Sequence, residues 1–496
     1  MDLPPKGVPE FQHWLKHKET YGSISSITVM GQTLVIIHDR QAVHDLMEKK
    51  SSKTSARPKT EFASKLCGMG EFLTMQQYDS KFRRGRGFMH QEFGTRVAAS
   101  RFGDLQEEEV GRFLLRVLSE PENVIEHIKA EAGAIMLKMT YGYSIEPKKT
   151  DPLVDLIHRV MATVLLAITP TPWLVDVIPA VKLVPDGFPG TGYKETARKW
   201  NKMTQAVAEI PYAFVRQQIA SGNHRESYVS KLVQQSSDGD KKEPDSSCDS
   251  EHIIKWTAAT LYAAGAETMV TSLTNFILAM VMFPDVQRKA QEEIDRVTGT
   301  NRLPEFQDRV NLPYIEGLVK EVHRWSPAIP LGMPHITEED IIYKDYVIPK
   351  GAYLFAAIWW FLHDPEVYAD PSSFNPERYL EPSKEPDPMN IAFGYGRRIC
   401  PGRYFADSVI FLTIAQTLAA FNISKAVDEQ GLEIDVELKA TPGLATHVED
   451  FPYKITPRNP KQVELIRAIT IEHPWEESDA SLLRGATIEA FSDVLY

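Results

Sequence analysis

Phe393-Gly394-Tyr395-Gly396-Arg397-Arg398-Ile399-Cys400-Pro401-Gly402 sets one cysteine in a glycine-rich loop, beside two arginines and directly before a proline. A thiolate is a soft, electron-rich ligand, and loops of this kind present one to a haem iron. Glycines let backbone come close to a flat macrocycle and take φ values that a side chain forbids. Pro401 suits the first turn of the apolar stretch from Tyr404 to Phe421. The sulfur is therefore expected near a helix N-terminus, where free N–H groups and the helix dipole favour its anion. A buried, inert cysteine in a turn is the structural alternative.

The rest of the chain limits what such a loop can belong to. At 496 residues and 43% hydrophobic content, it is long enough to bury a large core. No Pro/Gly-rich linker divides it, so a single domain over residues 1–496 is expected. The net charge of −12 argues against nucleic acid as the main partner. Three cysteines, Cys67, Cys248 and Cys400, make no disulfide framework, and their scatter fits a reducing compartment. No Cys/His cluster has zinc spacing.

Two apolar stretches need separate readings. Trp256 to Phe283 contains Glu267, Asn275, Gly265 and several threonines, which fits a helix buried in protein better than a membrane span. Met161 to Val184 is broken by Pro170, Pro172 and Pro179. With Trp173, that segment reads either as a surface dipping into a membrane interface or as a lid over the core. The N-terminus shows no signal peptide and no spanning run.

Helical patterning dominates. A hairpin around Gly31 is predicted between Tyr21 and His38. Helices are predicted over Phe82–Phe93, Gln106–Leu118, Glu122–Met139, Asp151–Leu166, Lys194–Ala220, Pro284–Val297 and Leu312–Trp325. Short strands are expected from Pro334 to Ala356, and Ser236 to Ser250 reads as a solvated loop. The predicted class is mainly α with small β-sheets.

Within the long apolar helix, Ala264-Gly265-Ala266-Glu267-Thr268 puts an acid and a hydroxyl beside a glycine. Gly265 weakens the helix by roughly 1 kcal/mol relative to alanine and permits a local opening of its ladder. Thr268 and Glu267 would then continue a hydrogen-bonded route for the protons that dioxygen cleavage consumes. The structural alternative is a hydroxyl bonded to a carbonyl one turn earlier, plus an acid with a structural partner. Glu321 and Arg324 lie three apart and share a helix face.

The cysteine loop resembles the haem-binding loop of the cytochromes P450, with Phe393, Gly396, Arg398, Cys400 and Gly402 at matching positions. The resemblance spans roughly Lys16 to Arg458 and looks most like filamentous-fungal P450s of secondary metabolism. It implies a P450 fold, with haem b as cofactor and Cys400 as the axial iron ligand. Thr268 and Glu267 are implied as catalytic, and Glu321, Arg324 and Arg378 as a buried structural triad. Phe82, Arg86, His335, Arg398, Phe393, Gly394 and Gly402 are implied to contact the haem. Phe82 stands where the family usually has tryptophan, so an N–H donor is missing there.

As substrate-facing, the resemblance implies Phe62–Met75, the proline-broken lid, the helix face near Tyr262 and Ala266, Ala328–Leu331 and Gly443–His447. The implied activity is a monooxygenase acting on a lipophilic small molecule with O2. Electrons would come from a separate NADPH–cytochrome P450 reductase, with cytochrome b5 as an optional second donor. Lys81, Arg83 and Arg84 form either a docking patch for that donor or a plain solvated face. A monomer is expected, inside the cell: the resemblance implies the cytosolic face of the endoplasmic reticulum, while the lack of a transmembrane run leaves a soluble or a peripherally bound protein as alternatives. Leu3-Pro4-Pro5-Lys6-Gly7 looks like a remnant of a proline-rich hinge (residues 1–15) without its anchor, and residues 461–496 form an unassigned tail. The competing readings are a haem-thiolate isomerase or dehydratase that needs no external electrons, and a non-enzymatic haem sensor or carrier.

Overall fold

The hairpin predicted around Gly31 forms as β1 (Ile24–Val29) and β2 (Gln32–Ile37), in register from Ile24↔Ile37 to Val29↔Gln32. Met30 and Gly31 both take positive φ, 49° and 84°, the turn that matches strand twist. This computed structural model describes residues 3–168, 173–239, 244–486 and 489–495. In the second half of the chain β3 (His335–Ile336), β4 (Ile341–Tyr343), β5 (Tyr346–Ile348) and β6 (Tyr353–Ala356) fall where strands were expected. The main sheet runs β1-β2-β6-β3, with β6 parallel to β2 although 300-odd residues separate them. A last pair, β7 (Phe421–Ser424) and β8 (Lys454–Pro457), is antiparallel.

Helices make up the body. In chain order the longer ones are α1 (Glu10–Tyr21), α2 (Ser80–Phe93), α3 (Gly103–Ser119), α4 (Val124–Tyr141), α5 (Pro152–Ile168) and α6 (Gly192–Ser221). They continue with α7 (Tyr228–Gly239), α8 (Pro244–Met282), α9 (Pro284–Thr298), α10 (Pro313–Trp325), α11 (Arg403–Ala420) and α12 (Pro460–Glu472). Asp79 caps α2 by accepting from the Phe82 N–H, and Gly142, with φ 65°, ends α4.

The long helix α8 crosses the centre. Its stretch Asp249–Met282 is long and apolar enough to cross a membrane, yet 72% of its most apolar window is buried within the protein. Burial by neighbouring helices explains the composition, as its internal polar residues suggested. Tyr262 donates to the Leu153 carbonyl at 2.7 Å, and Asn275 to that of Ser326 at 2.9 Å.

Three sequence expectations change. The loop expected over Ser236–Ser250 is helical through Gly239 and again from Pro244, while residues 240–243 lie outside the described residues. Pro401 does not open α11: the helix begins at Arg403 with Gly402 as its N-cap. The ladder of α8 does not open at Gly265. That glycine instead admits Met136 of α4, whose Cε would lie 2.5 Å from a Cβ there. Thus α4 and α8 approach more closely than a larger residue would allow.

The lid reading of the proline-broken segment fits Trp173, which stacks on Phe62 at 3.6 Å and meets Trp200 edge-on. Pro170 and Pro172 lie outside the described residues. The C-terminal segment packs on the helices. Trp475 lies under Arg112 and Arg116 of α3, and Asp479 accepts from the Ser144 N–H at 2.8 Å.

The cysteine loop leans on the first sheet's neighbourhood. Gly396 has φ 57°, and a Cβ there would meet the Met47 carbonyl oxygen at 2.2 Å. Gly394 also has positive φ, 77°, but nothing lies within 4 Å of its Cβ direction. Each Gly→Ala change should cost about 1–2 kcal/mol for the left-handed backbone, with the carbonyl clash added only at Gly396. Gly396→Ala should therefore lower the melting temperature more than Gly394→Ala; equal losses would refute the close approach.

Candidate active site

Cys400 sits at the end of a short turn, its N–H donating to the Phe393 carbonyl at 2.9 Å. The ring of Phe393 meets His323 edge-on at 5.1 Å, which fixes the start of the loop. Burial pushes the Cys400 thiol up, against a hydrogen bond from the Gly402 N–H and the charges of Arg86 and Arg403. The expected stabilisation of the thiolate by the helix terminus is thus outweighed by burial. Metal coordination reverses that balance, since it deprotonates a thiol outright.

The sulfur opens into a largely apolar cavity. Leu73, Met136, Leu261, Ala264, Met269 and Ile329 are among its walls. Among the positions proposed from sequence, Phe82, Arg86, Gly265, Thr268, His335, Phe393, Gly394, Arg398, Cys400 and Gly402 also line it. Several expected substrate contacts do not. Tyr262 and Ala266 lie on other faces of α8, Tyr262 turned toward Leu153, and none of residues 443–447 reaches this cavity. Leu73 and Thr74 line it from the first expected segment, and Ala328 and Ile329 from the fourth.

One part of this cavity is strongly cationic. Arg398 donates to the carbonyls of Ser55 at 2.8 Å and Gln76 at 2.7 Å, and its guanidinium lies 3.9 Å from the Phe82 ring centroid. The ring at position 82 thus supports Arg398 by its face, a role that needs no N–H. His335 donates from Nδ1 to the Thr54 carbonyl at 2.8 Å. Burial, then Arg57, holds its ring well below the usual imidazole range.

Arg57 is the residue that the sequence reading missed. It is 5% exposed, lines the cavity, and donates to the carbonyls of Thr74, Met333 and Pro334 at 3.1, 3.0 and 2.7 Å. Burial, followed by Arg398, pushes it well below its ordinary value. Burial and then Arg86 bring Arg398 down to about 10. Three guanidiniums and an imidazole therefore share one wall, where Arg398 weakens the hold of Arg57 on a proton, Arg86 that of Arg398, and Arg57 and Arg398 that of His335. A dianionic ligand relieves that repulsion, and the two carboxylates of haem b fit the donor set. Only the isolated placement of Arg57 before Pro58 marked it in sequence, which is too weak a signal to read.

On α8, the Thr268 hydroxyl donates to the Ala264 carbonyl at 2.9 Å, the bond anticipated as the structural alternative. The residue nevertheless faces the cavity. Glu267 does not line it. Its carboxylate is 3.0 Å from His447 Nε2 and 3.8 Å from His158 Nδ1. Burial opposes its charge, but the two neighbouring histidines prevail and hold it down at about 2.

Glu321, Arg324 and Arg378 come together, all at most 2% exposed. Glu321 accepts from Arg324 at two 2.8 Å contacts, from Arg378 at 3.0 Å, from Tyr379 at 3.0 Å and from the Asn375 N–H at 2.8 Å. Arg378 also pairs with Glu385 at 3.0 Å.

The sequence matches the family described as Cytochrome P450 over residues 8–447. A multifunctional cytochrome P450 monooxygenase of Aspergillus fumigatus is 50% identical over 98% of this chain and 91% of that protein. A cytochrome P450 monooxygenase of Gibberella zeae is 50% identical over 97% and 91%. The O-methylsterigmatocystin oxidoreductase of Aspergillus flavus is 40% identical over 97% and 89%. A zebrafish cytochrome P450 structure with abiraterone superposes with a TM-score of 0.71 at 18% identity, covering 91% of this chain and all of that one. The class is thus a haem-thiolate monooxygenase on a mainly helical scaffold with small sheets. This chain belongs to the cytochrome P450 family, and its cofactor is haem b bound through a thiolate. The family generally takes electrons from an NADPH reductase, acts with O2 on lipophilic substrates, and is usually associated with the endoplasmic reticulum.

The buried triad yields a measurable contrast. Arg378→Met strands part of the Glu321 charge and should cost about 3–5 kcal/mol in denaturant unfolding. Lys289→Met, which breaks an exposed pair with Glu377, should cost no more than about 1 kcal/mol. Similar losses in the two variants would show that the triad carries no special burden.

Proposed function

We propose that this chain inserts one oxygen atom from O2 into a lipophilic small molecule of a fungal secondary-metabolite pathway, using electrons from a separate NADPH–cytochrome P450 reductase. The observation that carries the reading is one apolar cavity shared by the Cys400 thiol and the cationic cluster of Arg57, Arg86, His335 and Arg398. Haem held there supplies the redox chemistry that activates O2.

The chain's own groups divide the remaining work. Cys400 Sγ would hold the haem iron, and the Gly402 N–H bonded to that sulfur would temper its charge. The cationic wall would hold the haem carboxylates, and Phe393 and Gly394 line the same cavity. Leu261, Met269 and Ile329 exclude water and favour an apolar ligand. Thr268 is anchored through its own proton to Ala264, which leaves the Oγ1 lone pairs to accept a proton in transit. Glu267 sits one residue earlier and relays protons toward it from the protein side. An isomerase or dehydratase needs no such pair, which favours the oxygenase.

Two outer surfaces extend the reading. Lys81, Arg83 and Arg84 are exposed on α2 and offer an acidic electron donor a complementary face. Leu174, Leu183 and Phe188 are exposed on the outside of the lid and suit contact with a membrane interface.

Cys400→Ser should abolish the absorbance at about 450 nm of the reduced carbon-monoxide complex, which reports thiolate ligation; its retention would falsify the ligand assignment. Thr268→Ala should keep that band but send reducing equivalents to hydrogen peroxide. Unchanged yield of product per NADPH would remove Thr268 from the reaction. Substrate-dependent NADPH oxidation with added reductase distinguishes the oxygenase from both a reductant-independent isomerase and a sensor.

A further inference from the structure

A second cavity, of about 410 Å³, lies against α8 on residues that the first cavity does not use, namely Val270, Thr271 and Thr274. His447 is part of its wall and is 30% exposed at the side chain. Its Nε2 is 3.0 Å from Glu267 Oε1, and its Nδ1 is 3.2 Å from Thr271 Oγ1. The Thr271 hydroxyl donates to the Glu267 main-chain carbonyl at 3.1 Å, so its oxygen accepts from His447. Each ring nitrogen thereby meets an acceptor, one of them the carboxylate next to Thr268.

The cavity is built for water and for positive charge. Thr274 Oγ1 beside it and His158 Nε2 beyond the carboxylate are buried without a protein partner, and water completes such groups. Among the described residues its walls carry, besides His447, Glu122, Glu126, Glu449 and Asp450 against the single cation Lys129, with Tyr453 as the remaining titratable group. Four acids facing one base raise the local concentration of protons. Glu267 itself is faced by His447 from the loop and by His158 from α5.

We propose that this second cavity is a proton-uptake chamber, and that His447 is the positioning residue that carries protons from it to Glu267. The inference rests on the monooxygenase reading above. In each transfer the His447 Nε2–H bond breaks and a Glu267 Oε1–H bond forms, leaving neutral imidazole. The ring then turns toward the cavity and regains a proton at Nε2 from water in exchange with bulk solvent. With His447 in place, Glu267 is held ionised; with His447 turned away, the closer of the two histidines that favour the anion is gone. The proton therefore stays on Glu267 until it is drawn toward Thr268.

The test uses the haem-loaded enzyme with its reductase, comparing the wild type with His447→Gln, which keeps hydrogen bonds but does not titrate. His447→Gln should retain the thiolate carbon-monoxide band and lower product formed per NADPH by roughly tenfold to a hundredfold. It should also flatten the pH profile of kcat and enlarge the solvent deuterium isotope effect. Independently of turnover, the infrared carbonyl band of protonated Glu267, identified by its loss in Glu267→Gln, should appear at higher pH in His447→Gln. A second variant, Thr274→Leu, fills the cavity from the helix side and keeps the Glu267–His447 pair. It should enlarge the isotope effect without moving the infrared band. Wild-type coupling and isotope effects in both variants, with the thiolate band intact, overturn the chamber and leave the monooxygenase standing. Loss of substrate-dependent NADPH oxidation in the wild type overturns the monooxygenase itself.

Discussion

Glu321 is the charge around which the cysteine side of the molecule is organised. It has no exposure to water, and its two oxygens accept from Arg324, Arg378, Tyr379 and the Asn375 main chain. A buried carboxylate is tolerable only when such a set is complete. The arginines extend the same demand outward, since Arg324 also binds the carbonyls of Leu362, Pro371 and Ser373. One acid on α10 thus fixes the irregular chain from residue 362 to residue 385, which leads into the cysteine loop. An irregular segment held by ionic hydrogen bonds can present a sulfur reproducibly without being helix or strand.

The cavity shows the opposite arrangement. There the positive groups are gathered without matching acids, and their burial lowers every member's affinity for its proton. The triad is a closed electrostatic unit, whereas the cavity wall is an open one that asks for an anion. That asymmetry separates residues that hold the scaffold from residues that hold a ligand.

Much of this was legible in the sequence because its signals are local. Cys400, Arg398 and the glycines sit at fixed spacing, and the period of α8 and its internal acid and hydroxyl could be read along one helix. The triad was legible only through resemblance, since Arg378 lies over fifty residues from Glu321. Arg57 and His158 were not legible as site residues, and His447 only as the end of a segment implied to face substrate, because their partners come from distant segments and no periodic pattern links them. Gly265 was read as a weak point in a helix, when the close approach of Met136 from another helix is what requires it. Pro401 was assigned to a helix start by propensity, but Gly402 and the turn through the cysteine delay that start to Arg403. In each miss, tertiary contact decided what local preference left open.

Two of the three arginines of the cationic wall also act as staples. Arg57 joins Thr74 to Met333 and Pro334, and Arg398 joins Ser55 to Gln76, so segments that border the apolar cavity are tied through the same guanidiniums that would grip an anion. Neutralising those guanidiniums makes the ties less costly to maintain, and by linkage whatever binds the wall stabilises the shape of the apolar chamber. Affinity for an oily guest and retention of the prosthetic group are therefore thermodynamically coupled in this chain. A stripped apoprotein should be a poor receptor even for molecules that never touch a charge.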